Sequence, residues 1–182
     1  MTLAMHDSDW KLFGRNGQSG KPLLFRSRTH VPEVREYAEQ NQMARVRCVI
    51  AEGELNDAGM PRSADDLNAF EDSLVGALEA ANAEVYLVAL VTGEGHRDLF
   101  FAARDLDELR AGLKAAENAP TISLQLAPVG GDAKASFLDQ LTLTPEMEQR
   151  AAAQGRVHGV EVERGTKSGG LLAKLFGRER EV

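Results

Sequence analysis

Near its middle the chain reads VYLVALVTGEGHRDLFF over residues 85–101. The first seven residues are nearly all apolar and rich in strand-forming types, which is typical of a central strand covered on at least one face. The run Thr92-Gly93-Glu94-Gly95 then supplies a tight turn, because glycine adopts positive φ at little cost. Residues 96–104 return as a second strand, so we predict an antiparallel hairpin at the centre of a sheet.

One helix is predicted before this hairpin and another after it. Ser63 can cap the first of them, and Asn82 is a plausible stop. Its apolar residues recur every three or four positions and line one face: Leu67, Phe70, Leu74, Leu78 and Ala81. Asp105 is placed to cap the second helix, whose apolar face has the same spacing: Leu106, Leu109, Leu113 and Ala116.

Alternating strands at residues 43–52 and 121–129 complete the order β-α-β-β-α-β. This order predicts an α+β fold of the ferredoxin-like type, with an antiparallel sheet and both helices on one face. A strand at residues 22–30 is predicted as an extra N-terminal edge. The second face of the sheet must then be solvated, covered by the extensions, or used against a partner.

Three regions follow from this pattern. Residues 1–130 form the α+β domain, and residues 131–163 form an extension with one helix that starts at Thr144-Pro145 and runs to Gln154. Residues 133–143 have no clear pattern. Residues 164–182 carry five basic and two acidic side chains, which predicts a basic flexible tail.

Composition limits the classes of function. The chain has 182 residues and a net charge of −7, which argues against a direct nucleic-acid site, because such a site needs clustered Lys and Arg. Its one cysteine, Cys48, can form neither a disulfide nor a zinc pair within the chain and is predicted in the core. Residues 1–10 lack a secretory signal, and no apolar stretch reaches the roughly 20 residues of a membrane helix, so we expect a cytoplasmic protein.

The turn at Thr92 to Asp98 is the first candidate ligand-binding site. It places the side chains of Thr92, His96, Arg97 and Asp98 around two glycines that could present amides to an anion. A histidine beside an aspartate can also orient a proton transfer. The tight turn alone would require the same glycines, and no phosphate-loop motif follows them.

Arg26 and Arg28 form the second candidate, because residues two apart on a strand share a face. Together they could grip a carboxylate or a phosphate. More often such a pair protects an edge strand from aggregation, and we favour that interpretation.

Two other groups of polar residues are weaker candidates. Glu71 and Asp72 are adjacent on a helix and point about 100° apart, which favours a solvated face or a local ion pair over acid–base catalysis. The histidines are scattered, and His158 with Glu161 and Glu163 does not face one side of a strand. We predict no catalytic residue, no metal and no cofactor.

Several segments together resemble the domain-of-unknown-function 695 family, over about two thirds of the chain. They are Trp10, the strand with Arg26 and Arg28, Gly59-Met60-Pro61, the run 70–74 and the hairpin 92–101. One departure is Ala102-Ala103, where the resemblance leads us to expect a tyrosine. The resemblance implies an uncharacterised bacterial protein. Related sequences occur beside domains similar to the B-type regulator of ribonuclease E activity, a small acidic inhibitor that acts by protein contact.

Three hypotheses of function follow. The first is a non-enzymatic binding or regulatory module that acts through protein contact, with a basic-surfaced protein or a second copy of the chain as partner. The second is a small-ligand binder or an enzyme that uses the 92–98 turn. The third, by analogy alone, is a regulator of an RNA-processing enzyme.

Overall fold

A computed structural model describes residues 10–131 and 133–142, together with residues 145, 146 and 149. Within these residues the chain forms six strands: β1 Lys11–Asn16, β2 Pro22–Ser27, β3 Gln42–Ile50, β4 Val85–Gly93, β5 His96–Ala103 and β6 Ile122–Val129. It also forms four helices: α1 Pro32–Gln40, α2 Asp65–Ala80, α3 Leu106–Ala115 and α4 Ala133–Leu141. None of these helices combines the length and the apolar character that a membrane crossing requires.

The strands form one sheet in the order β1-β2-β4-β5-β3-β6, and every neighbouring pair is antiparallel. The predicted α+β class and antiparallel sheet are therefore confirmed. All nine residues of β4 are buried, as its uninterrupted apolar run predicts for a central strand. From β3 to β6 the elements follow the order strand, helix, strand, strand, helix, strand. A ferredoxin-like fold also requires right-handed crossovers, and that detail stays a prediction.

The central hairpin is present as predicted. Gly93 pairs with His96, so Glu94 and Gly95 form a two-residue turn. Both have positive φ, 51° and 83° respectively. A turn of this geometry matches the right-handed twist of the two strands that it joins. Gly93 also needs to be glycine, because a Cβ there would lie 2.6 Å from the carbonyl oxygen of Pro22.

Helices cover both faces of the sheet. α2 and α3 bury Phe70, Leu74 and Leu109 against the side chains of β3 and β5 that point to the first face. On the second face, α1 and α4 bury Val34 and Leu138 in a separate apolar cluster. Of the alternatives left open for that face, α1 and the C-terminal extension cover part of it.

Local capping agrees with the prediction at α3 and is shifted by one residue at α2. The Ser63 hydroxyl accepts a hydrogen bond from the amide of Asp65, although the capping position itself is Ala64. Asn82, the predicted stop of this helix, follows the end of α2 and has a positive φ of 49°. The Asp105 carboxylate accepts from the amide of Asp107, which is the predicted N-cap of α3.

The structure corrects three predictions of local structure. β2 is not an edge strand, because β1 pairs with its outer side through contacts such as Phe13 with Phe25. The polar segment at Pro32, where the sequence predicts only a short turn of helix, is a nine-residue helix, because Val34 and Ala38 bury one face of it. Residues 133–141, which showed no clear pattern, form α4 with Leu138 and Leu141 buried. Most of the helix predicted at 144–154, and all of the tail at 164–182, lie outside the described residues.

Candidate functional site

Strand geometry separates the four candidate residues of the hairpin onto opposite faces of the sheet. Side chains alternate along β5, so Arg97 points to the α2–α3 face while His96 and Asp98 point to the other. Thr92 pairs with Arg97 across the hairpin and shares its face. The sequence predicted one site at this turn, whereas the structure contains two clusters with different surroundings.

The first cluster centres on Arg97, a guanidinium only 1% exposed. Its Nε donates to the Thr92 hydroxyl at 3.1 Å, and its Nη1 donates to the Asn68 side-chain oxygen at 2.9 Å. The Glu71 carboxylate lies 3.6 Å from the same Nη1. Burial lowers the pKa of Arg97, and the neighbouring Glu71 acts in the opposite direction.

Glu71 extends this cluster to the N-terminal strands. Its Oε1 accepts from Arg26 Nη1 at 2.9 Å, so one buried carboxylate contacts two arginines from different strands. The Trp10 ring covers Arg26, whose guanidinium carbon lies 4.3 Å from the ring centroid, and Arg28 at 5.2 Å. Burial, together with the nearby charge of Arg26, lowers the pKa of Arg28 to about 10.

We refer to Arg26, Glu71, Asn68, Thr92 and Arg97 as the buried network. Its members join β2, α2, β4 and β5 beneath the first turns of α2. The edge-protecting role favoured for Arg26 and Arg28 is wrong, because β2 is interior and Arg28 is fully buried. Glu71 is likewise buried rather than solvated, while its neighbour Asp72 is exposed. These contacts fix α2 on the sheet, with Glu71 and Arg97 buried and the Arg26 side chain 22% exposed.

The second cluster lies on the opposite face, around Asp98. Arg47 on the adjacent strand β3 binds this carboxylate with two hydrogen bonds of 2.7 Å, from Nε to Oδ1 and from Nη2 to Oδ2. Arg45 Nη1 lies 4.0 Å from Oδ2, and His96 Nε2 lies 3.6 Å from the same atom. The bond to Asp98 raises the pKa of Arg47. We refer to these four residues as the Asp98 cluster.

The Asp98 cluster is accessible and joins two arginines to one carboxylate, with the acidic Glu94 nearby. The Arg45 and Arg47 side chains are 33% and 28% exposed, whereas the Asp98 side chain is 7% exposed. Two arginines therefore face one carboxylate that Arg47 already occupies on both oxygens. The Nε of Arg45 is itself buried and has no hydrogen-bond partner among the described residues, so an anion would contact the exposed part of the side chain. This geometry can bind an anionic group at Arg45, with His96 adding charge when it is protonated.

Sequence reasoning missed Arg45, Arg47 and Asn68. Alternation along residues 43–52 does place Arg45 and Arg47 on the face opposite Cys48, so that signal was available. Only the pairing of β3 with β5 puts Arg47 directly opposite Asp98. Cys48 itself is fully buried, and burial raises the pKa of its thiol to about 12, as expected of a core residue.

In the described part of the chain, no group of three or more His, Cys, Asp or Glu side chains could hold a metal ion. His158, Glu161 and Glu163 lie outside the described residues.

Comparison with known proteins identifies a family and nothing further. The pattern of a family of unknown function, DUF695, matches residues 8–134, from just before Trp10 to the first residues of α4. No curated protein matches the chain, and no solved structure matches it. The association with the B-type regulator of ribonuclease E activity therefore stays a hypothesis. Because the match spans both polar clusters and all six strands, the chain belongs to the DUF695 family.

Proposed function

We propose that this protein is a non-enzymatic binding module, and that the Asp98 cluster binds an acidic segment of a protein partner. The observation that supports the proposal is the local gathering of basic side chains. A chain with a net charge of −7 gathers Arg45, Arg47 and His96 around a single carboxylate on an accessible sheet face. Such a patch attracts anionic groups.

Chemistry at the cluster favours binding over catalysis. Asp98 accepts hydrogen bonds from Arg47 on both of its oxygens, so its carboxylate is already engaged in an ion pair. The pairing of Thr92 with the buried Arg97 likewise removes the hydroxyl from the accessible side of the hairpin. What remains available is Arg45, whose planar guanidinium suits a carboxylate or phosphate.

A protein partner is favoured over a small ligand because the cluster lies on the broad face of a sheet. The cationic residues are on neighbouring strands β3 and β5, flanked on β6 by the exposed side chains of Ser123 and Gln125. An extended acidic segment could contact both strands along this face. The net charge also predicts a partner with a basic surface. Such a partner would bind a different surface of this protein, and it stays a prediction.

The proposal can be tested by titrating the isotope-labelled full chain with a peptide of consecutive glutamates and following amide NMR shifts. We expect saturable shifts at Arg45, Arg47 and His96 that weaken as salt is added. Arg45→Glu should abolish them, because it reverses the charge of the most accessible guanidinium. Arg62→Glu makes the same change at an exposed arginine elsewhere and should leave binding unchanged.

Inorganic phosphate provides the second arm of the titration. If phosphate saturates the same residues at concentrations as low as the peptide does, the site takes a small anion and the protein-binding proposal is wrong. Shifts spread over the whole chain, or equal loss in both charge-reversal variants, would also overturn it.

A further inference from the structure

The second edge of the sheet, strand β6, has features that its counterpart β1 lacks. Its sequence, ISLQLAPV, contains no charged residue over eight positions. β1 carries Lys11 and Arg15, charges of the kind that keep edge strands from pairing. Leu126 on β6 is the exposed large hydrophobic residue of the described chain, at 36% of its surface.

Backbone hydrogen bonds show which groups of β6 point outward. At the end of β3, the amide of Ala51 donates to the carbonyl of Thr121 on the β6 side. The amide of the preceding residue, Ile50, donates to the carbonyl of Gly95 on the β5 side. In an antiparallel strand, every second residue bonds to one neighbouring strand, and the residues between them face the other side. Ser123, Gln125 and Ala127 therefore bond to β3. The backbone groups of the residues between them therefore point away from β3, outward from the edge of the sheet. These residues are Ile122, Leu124, Leu126 and Pro128.

Both ends of this outward row are closed. The Ile122 amide donates to the carbonyl of Ala119, and the Ile122 carbonyl accepts from the Asn118 side chain. Pro128 has no amide hydrogen to donate. Among the described residues, Leu124 and Leu126 remain as a short window in which each residue offers one donor and one acceptor.

That window is symmetric about Gln125. We propose that β6 is a dimerisation edge, where a second copy of this chain pairs antiparallel with the first around a two-fold axis at Gln125. In this register Leu124 of one copy faces Leu126 of the other, and the four open donors and four open acceptors of the two copies form four hydrogen bonds. The sheet would then continue through both protomers as twelve strands.

Side-chain packing supports a second copy as the occupant. Leu124 already packs against the apolar cluster beneath α2 and α3, on the same face of β6 as Ile122. The two-fold would bring the exposed Leu126 against Leu124 of the other copy and remove both from water. Any shift of the register would place Pro128 or the closed Ile122 opposite an open group, so the register centred on Gln125 is the one in which two copies of the window pair completely.

Two measurements on the full chain test the dimer. Light scattering across a concentration series should give a mass approaching twice 19.8 kDa for the wild type. Leu126→Lys should bring the mass to 19.8 kDa without unfolding, because its side chain is already partly exposed and its amide does not bond to β3. Leu126→Met keeps an apolar side chain of similar size and should remain dimeric.

Oxidative cross-linking tests the register. Gln125 would face its own symmetry mate in a pair without mutual hydrogen bonds, where Cα atoms are about 4.5 Å apart. Gln125→Cys should therefore form a disulfide-linked dimer, since that spacing lies within the range that a disulfide spans. Ser123→Cys puts an exposed thiol on the same face, but its mate would lie about 14 Å away, at roughly 3.4 Å per residue, and should not cross-link.

The wild type, with Cys48 alone, controls for cross-linking through that buried thiol. A wild-type mass of one chain throughout, a dimer that Leu126→Lys leaves intact, or equal cross-linking of the two cysteine variants would each overturn the proposal. Loss of anion binding by Arg45→Glu with the dimer retained would show that the two proposals are independent.

Discussion

At the scale of single residues, Glu71 is a buried carboxylate with two arginine neighbours. It is 4% exposed and contacts Arg26 and Arg97, one on each side of its carboxylate. A buried ion pair contributes little net stability against an apolar replacement, but removing one partner leaves the remaining charges buried without compensation. Arg97, at 1% exposed, has little access to water once the carboxylate is gone.

We therefore expect Glu71→Gln to lower the free energy of unfolding by about 3 kcal/mol, the lower end of what breaking a buried pair costs. Urea denaturation monitored by circular dichroism measures the change. Asp72→Asn removes the same charge from the next residue, which is exposed, and should change stability by no more than about 0.5 kcal/mol. Equal effects of the two substitutions would mean that the buried network does not hold α2 in place.

At the scale of elements, the contact between α2 and α3 depends on a glycine. A Cβ on Gly112 of α3 would lie 2.6 Å from Cδ2 and 3.0 Å from Cγ of Leu78 on α2. Leu78 is fully buried, so it has little room to move aside. By contrast, a Cβ on Gly76 of α2 would meet nothing within 4 Å.

The same substitution should consequently have opposite effects at these two positions. Alanine favours a helix over glycine by about 1 kcal/mol, and Gly76→Ala should raise the free energy of unfolding by that amount. At Gly112 the crowding of the packed helices outweighs the propensity, and Gly112→Ala should lower it by about 1 kcal/mol net. Thermal denaturation of the two variants in parallel gives the comparison, and stabilisation of both would show that α3 can move away from α2 freely.

At the scale of the whole molecule, α4 covers part of the face of the sheet that α2 and α3 leave open. Leu138 is fully buried and Phe137 packs on Phe100 of β5, with ring centroids 4.6 Å apart. The Thr142 hydroxyl lies 2.7 Å from the Thr29 hydroxyl after β2, which ties the end of α4 to the N-terminal strands. The family match ends at residue 134, so most of α4 is beyond the matched region although it packs on the sheet.

If α4 is part of the cooperative core, Leu138→Ala should lower the free energy of unfolding by about 3 kcal/mol, within the usual cost of emptying a buried leucine site. Gln140→Ala lies in the same helix on its exposed side and serves as the control. Both are measured by urea denaturation. An effect at Leu138 no larger than at Gln140 would mean that α4 unfolds separately from the sheet.

The elements that the sequence predicts correctly are those with a local physical signal. Each of these elements carries an apolar period, a cap or a turn glycine of its own. They are the hairpin at 85–101, helices α2 and α3, and strands β3 and β6. Cys48 follows from the same alternation. β1, α1 and α4 were missed or left short because each is stabilised by what it packs against: β1 by pairing with β2, α1 through Val34 and Ala38, and α4 through Leu138 and Leu141.

The sequence by itself determined the α+β class, the antiparallel hairpin and the membership of the chain in its family, because these depend on contacts between near neighbours and on local motifs. Only the tertiary structure decided which polar residues meet. Alternation along β5 sends Arg97 and Asp98 to opposite faces, and the pairing of distant strands then gives Arg97 to Glu71 and Asp98 to Arg47. Strand order and register join residues far apart in the chain, and no local pattern encodes them.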